Sequence, residues 1–102
     1  MSLNVEFMSN HAKTMLLARL ASTLTICARD TYEVGTDRVV QPELLRAYNE
    51  LLHRVTGAVR DHLLESKGYS LNDILGMLRA FGEKNGRIGE MQWALEQAVK
   101  TL

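Results

Sequence analysis

The stretch LLRAYNELLHRVTGAVRDHLLESKG, residues 44–68, has the hydrophobic pattern of a long helix that packs on one side. Its apolar positions alternate spacings of four and three residues, which places them along one side of an α-helix: Leu44, Tyr48, Leu51, Val55, Ala58 and His62. Pro42 suits the first position of a helix, and Gly68 suits the position just after its end. The pattern therefore predicts one helix from Pro42 to about Lys67.

Three further helices are predicted on either side of this stretch. The first begins at Ser9 or Asn10, either of which can cap it, and continues to about Arg29. The third opens at Ser70, which forms a capping box with the residue three positions on. The fourth carries apolar residues at spacings of three and four: Ile88, Met91, Leu95, Ala98 and Leu102.

Glycines separate the last two helices, and a loop separates the first two. We expect Gly82, Asn85, Gly86 and Gly89 to break the chain into a flexible corner. Gly57, inside the long helix, indicates either close approach by another helix or a local bend. The sequence predicts an all-α, antiparallel bundle of about four helices, two long and two shorter, as one domain over residues 1–102. Residues 1–8 are expected to be disordered or partly vector-derived.

Composition narrows the class of protein. The chain has 102 residues, of which 46% are apolar and 24% charged, typical of one soluble globular domain. Twelve basic side chains balance twelve acidic ones, so the basic excess of a DNA-binding domain is missing. The sequence has no apolar run of the roughly 18 residues that a membrane span needs. Cys27 is the single cysteine, which predicts no internal disulfide and a cytoplasmic location.

The first helix has two apolar sides, and this predicts two neighbours for it. Leucines form one side, and a second stripe contains Met15 and Ile26 and is interrupted by Arg19. Either self-association or a central place within one bundle satisfies both sides. On the fourth helix, Trp93 lies at the edge of the apolar side, where it either meets a partner or covers its own bundle. We expect a homodimer, with an interface formed by Met15, Arg19, Ile26, Met91 and Trp93.

Arg46, His53, Arg60 and Lys67 recur every seven residues, on the side of the long helix opposite the apolar positions. The first interpretation is a solvent-exposed polar face. Glu50 and His53 form half of a di-iron motif, in which a glutamate precedes a histidine by three residues. At His62 the histidine comes before the glutamate, so the second half of the motif is not formed. We therefore expect neither a metal ion nor a cofactor. The function that the sequence favours is binding to another protein or to a second copy, without a catalytic residue.

An alternative function follows from the spacing of Arg46 and His53. Arg46, six intervening residues and His53 resemble the Arg-x(4–6)-His motif of the HEPN nucleases, which are small, helical and usually dimeric RNases. The resemblance implies that Arg46 and His53 from two protomers meet in a cleft and cleave RNA. His53 would then transfer a proton, and Arg46 would stabilise the negative charge that develops on the phosphate. RNA is a partner only under this alternative.

Overall fold

The computed structural model describes residues 7–100, and within them the chain forms an all-α bundle, as the sequence predicts. Phe7 and Met8 are the described part of the predicted terminal segment 1–8, and Met8 packs against the core. The rest of that prediction lies outside the described residues. The helices are α1 (Asn10–Cys27), α2 (Pro42–Leu63), α3 (Leu71–Asn85) and α4 (Ile88–Lys100).

The four helices are arranged in a ring, in which each helix packs against the one before it and the one after it, and α4 closes the ring on α1. The Asn10 side-chain oxygen lies 2.9 Å from His62 Nδ1, which joins the beginning of α1 to the end of α2. The Thr23 hydroxyl donates to the Ala94 carbonyl at 3.2 Å. Neighbouring helices therefore run antiparallel.

The core fills the centre of the ring. Tyr48 is fully buried, and its ring lies 4.7 Å from the ring of Phe81, centroid to centroid, which joins α2 to α3. The predicted inward side of α2 is confirmed at Tyr48, Leu51, Val55 and Ala58, all of which are buried. α4 contributes Met91 to the core, and the large core side chains of α1 and α3 are aliphatic: Leu16, Leu17, Leu20, Leu24, Leu71, Ile74 and Leu78.

Two predicted helix beginnings are confirmed. The Ser9 hydroxyl accepts a hydrogen bond from the Ala12 N–H at 3.1 Å, and this satisfies one free donor of the first turn of α1. Ser70 and Asp73 form the predicted capping box, because each side chain accepts from the backbone N–H of the other. The hydrogen bond that the Ser70 N–H donates to the Asp73 carboxylate is the main cause that lowers the pKa of this carboxyl.

The end of α2 differs from the prediction. The helix stops at Leu63 rather than near Lys67, and Glu65 takes the left-handed conformation, with φ of 52°, that was expected of Gly68. The Glu65 N–H donates to the His62 carbonyl and the Ser66 N–H to the Asp61 carbonyl. This pair of bonds is a Schellman motif, which closes a helix as soon as one residue turns left-handed.

The predicted glycine corner is also wrong in its length. Gly82 lies inside α3 and Gly89 inside α4, so only Gly86 and Arg87 connect the two helices. Gly86 has φ of 66° and supplies the left-handed residue that ends α3. Gly57 lies in an unbroken α2, and no atom lies within 4 Å of the Cβ that it lacks, so the expected close approach is not present among the described residues.

Candidate interaction surface

α1 leaves part of its apolar surface uncovered. Its neighbours α2 and α4 bury the leucine side, whereas the second stripe is buried less completely. Ile26 is 57% exposed, and Met15 and Arg19 are half-buried. The helix has apolar residues nearly all round its circumference, so two neighbours cannot cover all of them.

α4 contributes Trp93 to the same side of the bundle. Trp93 precedes Ala94, whose carbonyl accepts the Thr23 hydroxyl, and it is 42% exposed. Thr23 and Ile26 are three residues apart on α1, so Ile26 and Trp93 flank the same contact between the helices. We call the surface formed by Met15, Arg19, Ile26 and Trp93 the α1–α4 face.

Met91 lies elsewhere, although the sequence places it in the same interface. Met91 is 5% exposed and belongs to the core of its own bundle. It also lines a groove of about 450 Å³ between α3 and α4, whose floor is apolar and whose rim carries Arg79 and Glu83. Met91 and Trp93 are two residues apart, so they lie about 160° apart around α4 and face opposite sides. The sequence pattern does not separate them.

Arg19 is the most unusual member of the α1–α4 face. Its Nε is buried and has no hydrogen-bond partner, and no carboxylate within the described residues forms an ion pair with its guanidinium. Burying a donor without an acceptor is unfavourable by about 1–3 kcal/mol. An acceptor supplied by a bound surface would remove this cost.

Glu90 lies at the border of the α1–α4 face and was not singled out from the sequence. It is half-buried in the first turn of α4, and its carbonyl accepts a long hydrogen bond, 3.8 Å, from the Cys27 thiol. Its carboxylate makes no ion pair among residues 7–100. Its position three residues before Trp93 was the signal in the sequence that this carboxylate shares a face with the tryptophan.

The Cys27 thiol is protected at the end of α1. Burial, followed by the negative charges of Asp30 and Glu90, raises the pKa of Cys27 to about 11. The thiolate is the reactive form of cysteine, so Cys27 is a poor nucleophile at neutral pH. The nearby Tyr48 hydroxyl is buried without a hydrogen-bond partner, and burial raises its pKa as well. Sequence patterns gave no sign of this unpaired hydroxyl.

Arg46 and His53, the residues of the alternative prediction, both lie on the exposed side of α2. The Arg46 guanidinium lies 3.6 Å from the Glu43 carboxylate, and both side chains are well exposed to solvent. An exposed ion pair of this kind contributes little to stability. The positions fit a polar face in water, and nothing in residues 7–100 of one protomer brings Arg46 and His53 to a common cleft.

Within residues 7–100, no three His, Cys, Asp or Glu side chains lie close enough together to bind one metal ion. In the same part of the chain, each helix is too short or too polar to cross a bilayer.

Comparison with family models, with curated proteins and with solved structures finds no match to this chain. The resemblance to the HEPN nucleases therefore rests on the spacing of Arg46 and His53 and on the helical architecture. The candidate site rests on the geometry of the α1–α4 face.

Proposed function

We propose that this protein acts by binding a protein surface through the α1–α4 face, and that it binds a second copy of itself in this way. The observation that carries the proposal is the exposure of Ile26 (57%) and Trp93 (42%) on one face that also contains the unpaired Arg19. Large apolar side chains around a tryptophan and an arginine are the composition that protein interfaces favour.

The size of the face supports this function. α1 has 18 residues, so it offers an edge about 27 Å long, and α4 runs beside it. A stable interface buries about 800 Å² on each partner, which a pair of adjacent helices can supply. Burying a side chain such as Ile26 favours association by about 1.5–3 kcal/mol.

We also propose that the protein acts in the cytoplasm. The support is Cys27, the single cysteine of the sequence, which is a buried free thiol. A small domain that relies on core packing without a disulfide suits a reducing compartment.

The test places a charge on the face. Ile26→Asp introduces a carboxylate that is costly to bury, so we expect the dimer to dissociate while the helices persist. Val34→Asp is the matched control, because Val34 is 98% exposed and lies in the connection between α1 and α2, away from the face. Size-exclusion chromatography with light scattering measures the mass, and circular dichroism measures the helix content.

Two results would overturn the proposal. One is a wild-type protein that stays monomeric up to about 1 mM, where even a weak specific dimer forms. The other is an Ile26→Asp variant that dimerises as well as the wild type and the Val34→Asp variant do.

A further inference from the structure

Two hydrogen bonds fix how α1 and α4 are aligned. The Thr23 hydroxyl donates to the Ala94 carbonyl, and the Cys27 thiol donates to the Glu90 carbonyl. Glu90 therefore lies one helical turn beyond Thr23 along the face. Arg19 lies one turn before Thr23 on α1. Arg19 and Glu90 therefore lie on opposite sides of the level of Thr23, each about 6 Å from it along the helix axes.

The two charges do not meet within one protomer. Cys27 is eight positions after Arg19 on α1, which corresponds to about 12 Å along the axis. Among the described residues, Arg19 forms no ion pair, its Nε has no acceptor, and the Glu90 carboxylate has no cationic partner. The α1–α4 face therefore has an unpaired positive end and, at its border, an unpaired negative end.

These two charges can pair across a dimer in which the second copy is rotated by 180° relative to the first. Most homodimers have two-fold symmetry, in which residue i of one protomer contacts residue j of the other and the reverse. A two-fold axis perpendicular to the helices, at the level of Thr23, exchanges the level of Arg19 with that of Glu90. An axis parallel to the helices leaves both charges at their own levels, where they cannot pair.

We infer that a second copy docks antiparallel on the α1–α4 face, about a two-fold axis at the level of Thr23, and that Arg19 of each protomer pairs with Glu90 of the partner subunit. This inference rests on the proposed function and specifies its geometry. It also provides an acceptor for the Arg19 guanidinium, whose Nε is buried without a partner.

The residues near the proposed axis suit a close crossing. Ser22 and Thr23 are small, so the two copies of α1 can approach closely at this level. Trp93 is adjacent to Ala94 and so lies at nearly the same level, which brings the two tryptophans towards the centre of the interface. Tryptophans in well-packed interface centres contribute much of the binding energy.

The experiment is a charge exchange. Arg19→Glu and Glu90→Arg each place like charges together in the proposed dimer, so each should raise the Kd for self-association at least about tenfold. The double variant Arg19→Glu/Glu90→Arg restores both pairs and should return the Kd to within about threefold of the wild-type value. Sedimentation equilibrium measures the Kd, and Arg79→Glu on the exposed side of α3 is the matched control.

The outcomes separate this inference from the proposed function. If Ile26→Asp dissociates the dimer but the charge exchange does not rescue the single variants, the pairing is overturned and self-association through the face stands. If the wild type is monomeric, both are overturned. If a charge-reversed variant loses helix content, Arg19→Gln and Glu90→Gln are used in its place. The pairing predicts that each of these substitutions raises the Kd and that their effects are not additive. Additive effects would overturn the pairing.

Discussion

At the scale of single residues, Glu65 is the one non-glycine residue among residues 7–100 with a positive φ. Its φ of 52° lies in the left-handed region, which costs an L-residue roughly 1–2 kcal/mol. The Schellman motif at the end of α2 requires this conformation, because the bonds from Glu65 and Ser66 reach back to His62 and Asp61. The chain tolerates the cost because the motif pairs two carbonyls at the helix end.

Replacing Glu65 with glycine should therefore stabilise the protein. We expect Glu65→Gly to raise the free energy of unfolding by about 0.5–1 kcal/mol, since glycine adopts left-handed backbone without a Cβ penalty but loses more entropy on folding. Urea denaturation followed by circular dichroism measures the change. Glu65→Ala is the control for the lost carboxylate, and a gain as large in alanine as in glycine would contradict the conformational explanation.

Gly68 shows why the end of α2 was not predicted. The sequence suggested Gly68 as the left-handed residue after the helix, but its role is spatial: a Cβ at this position would overlap the Asp61 carboxylate. A glycine needed for close packing and a glycine needed for a left-handed turn look the same in a sequence. Only the tertiary contact separates the two.

At the scale of helices, Gly57 and Gly82 are both within a helix but have different surroundings. No atom lies within 4 Å of the Cβ that Gly57 lacks, whereas the Cβ of an alanine at Gly82 would lie 3.1 Å from Ile88 Cα. The Ile88 contact is with backbone at the start of α4, so it cannot be relieved by a side-chain rotation. Gly82 therefore lets the start of α4 lie close against α3.

The same substitution should thus have opposite effects at the two positions. Gly57→Ala should raise the free energy of unfolding by about 0.5–1 kcal/mol, because alanine is the better helix former. Gly82→Ala should lower it by about 1–3 kcal/mol, because the added methyl forces the two helices apart. Denaturant midpoints check both predictions, provided that the dependence of the unfolding free energy on denaturant concentration stays constant. A stabilised Gly82→Ala variant would contradict the close approach of Gly82 to Ile88.

The helices were predictable because their evidence is local. The capping residues Ser9 and Ser70 and the four-three spacing on α2 depend only on neighbours in the chain, and each is confirmed. The orientation of α4 about its axis is not local. This rotation places Met91 in the core and Trp93 on the outside. It depends on which side of α4 packs against α1 and which side packs against α3.

At the scale of the whole molecule, the basic residues of α2 and the α1–α4 face belong to different sides of the bundle. Arg46 and His53 lie on the exposed side of α2, which packs against α1 and α3 and not along α4. A protein that functions through the α1–α4 face does not use these side chains. The HEPN alternative depends on them entirely.

Alanine substitutions therefore separate the two functions. Under the proposed function, Arg46→Ala and His53→Ala each change the free energy of unfolding by less than about 0.5 kcal/mol and leave the dimer Kd unchanged. Denaturation and sedimentation measure these quantities. Cleavage of a labelled single-stranded RNA by the wild type, lost in both variants while they stay folded, would contradict the proposed function and favour the nuclease.

The candidate site was predictable only in part. The second apolar stripe of α1 indicates an additional neighbour, and the sequence left open whether this is α4 or another copy. In the structure α4 lies beside the stripe at Thr23, whereas Ile26 is left exposed, so one neighbour does not satisfy the whole stripe. Glu90 was missed because a carboxylate in the first turn of a helix is also what the helix dipole favours.

The closure of the ring by α4 on α1 has a consequence for how the chain is made. α1 leaves the ribosome well before α4. The side of α1 that later packs against α4 is therefore exposed while the intervening residues are being translated. Completion of the core must therefore wait until α4 emerges from the exit tunnel. Until then the nascent chain presents an apolar helix of the kind that chaperones hold.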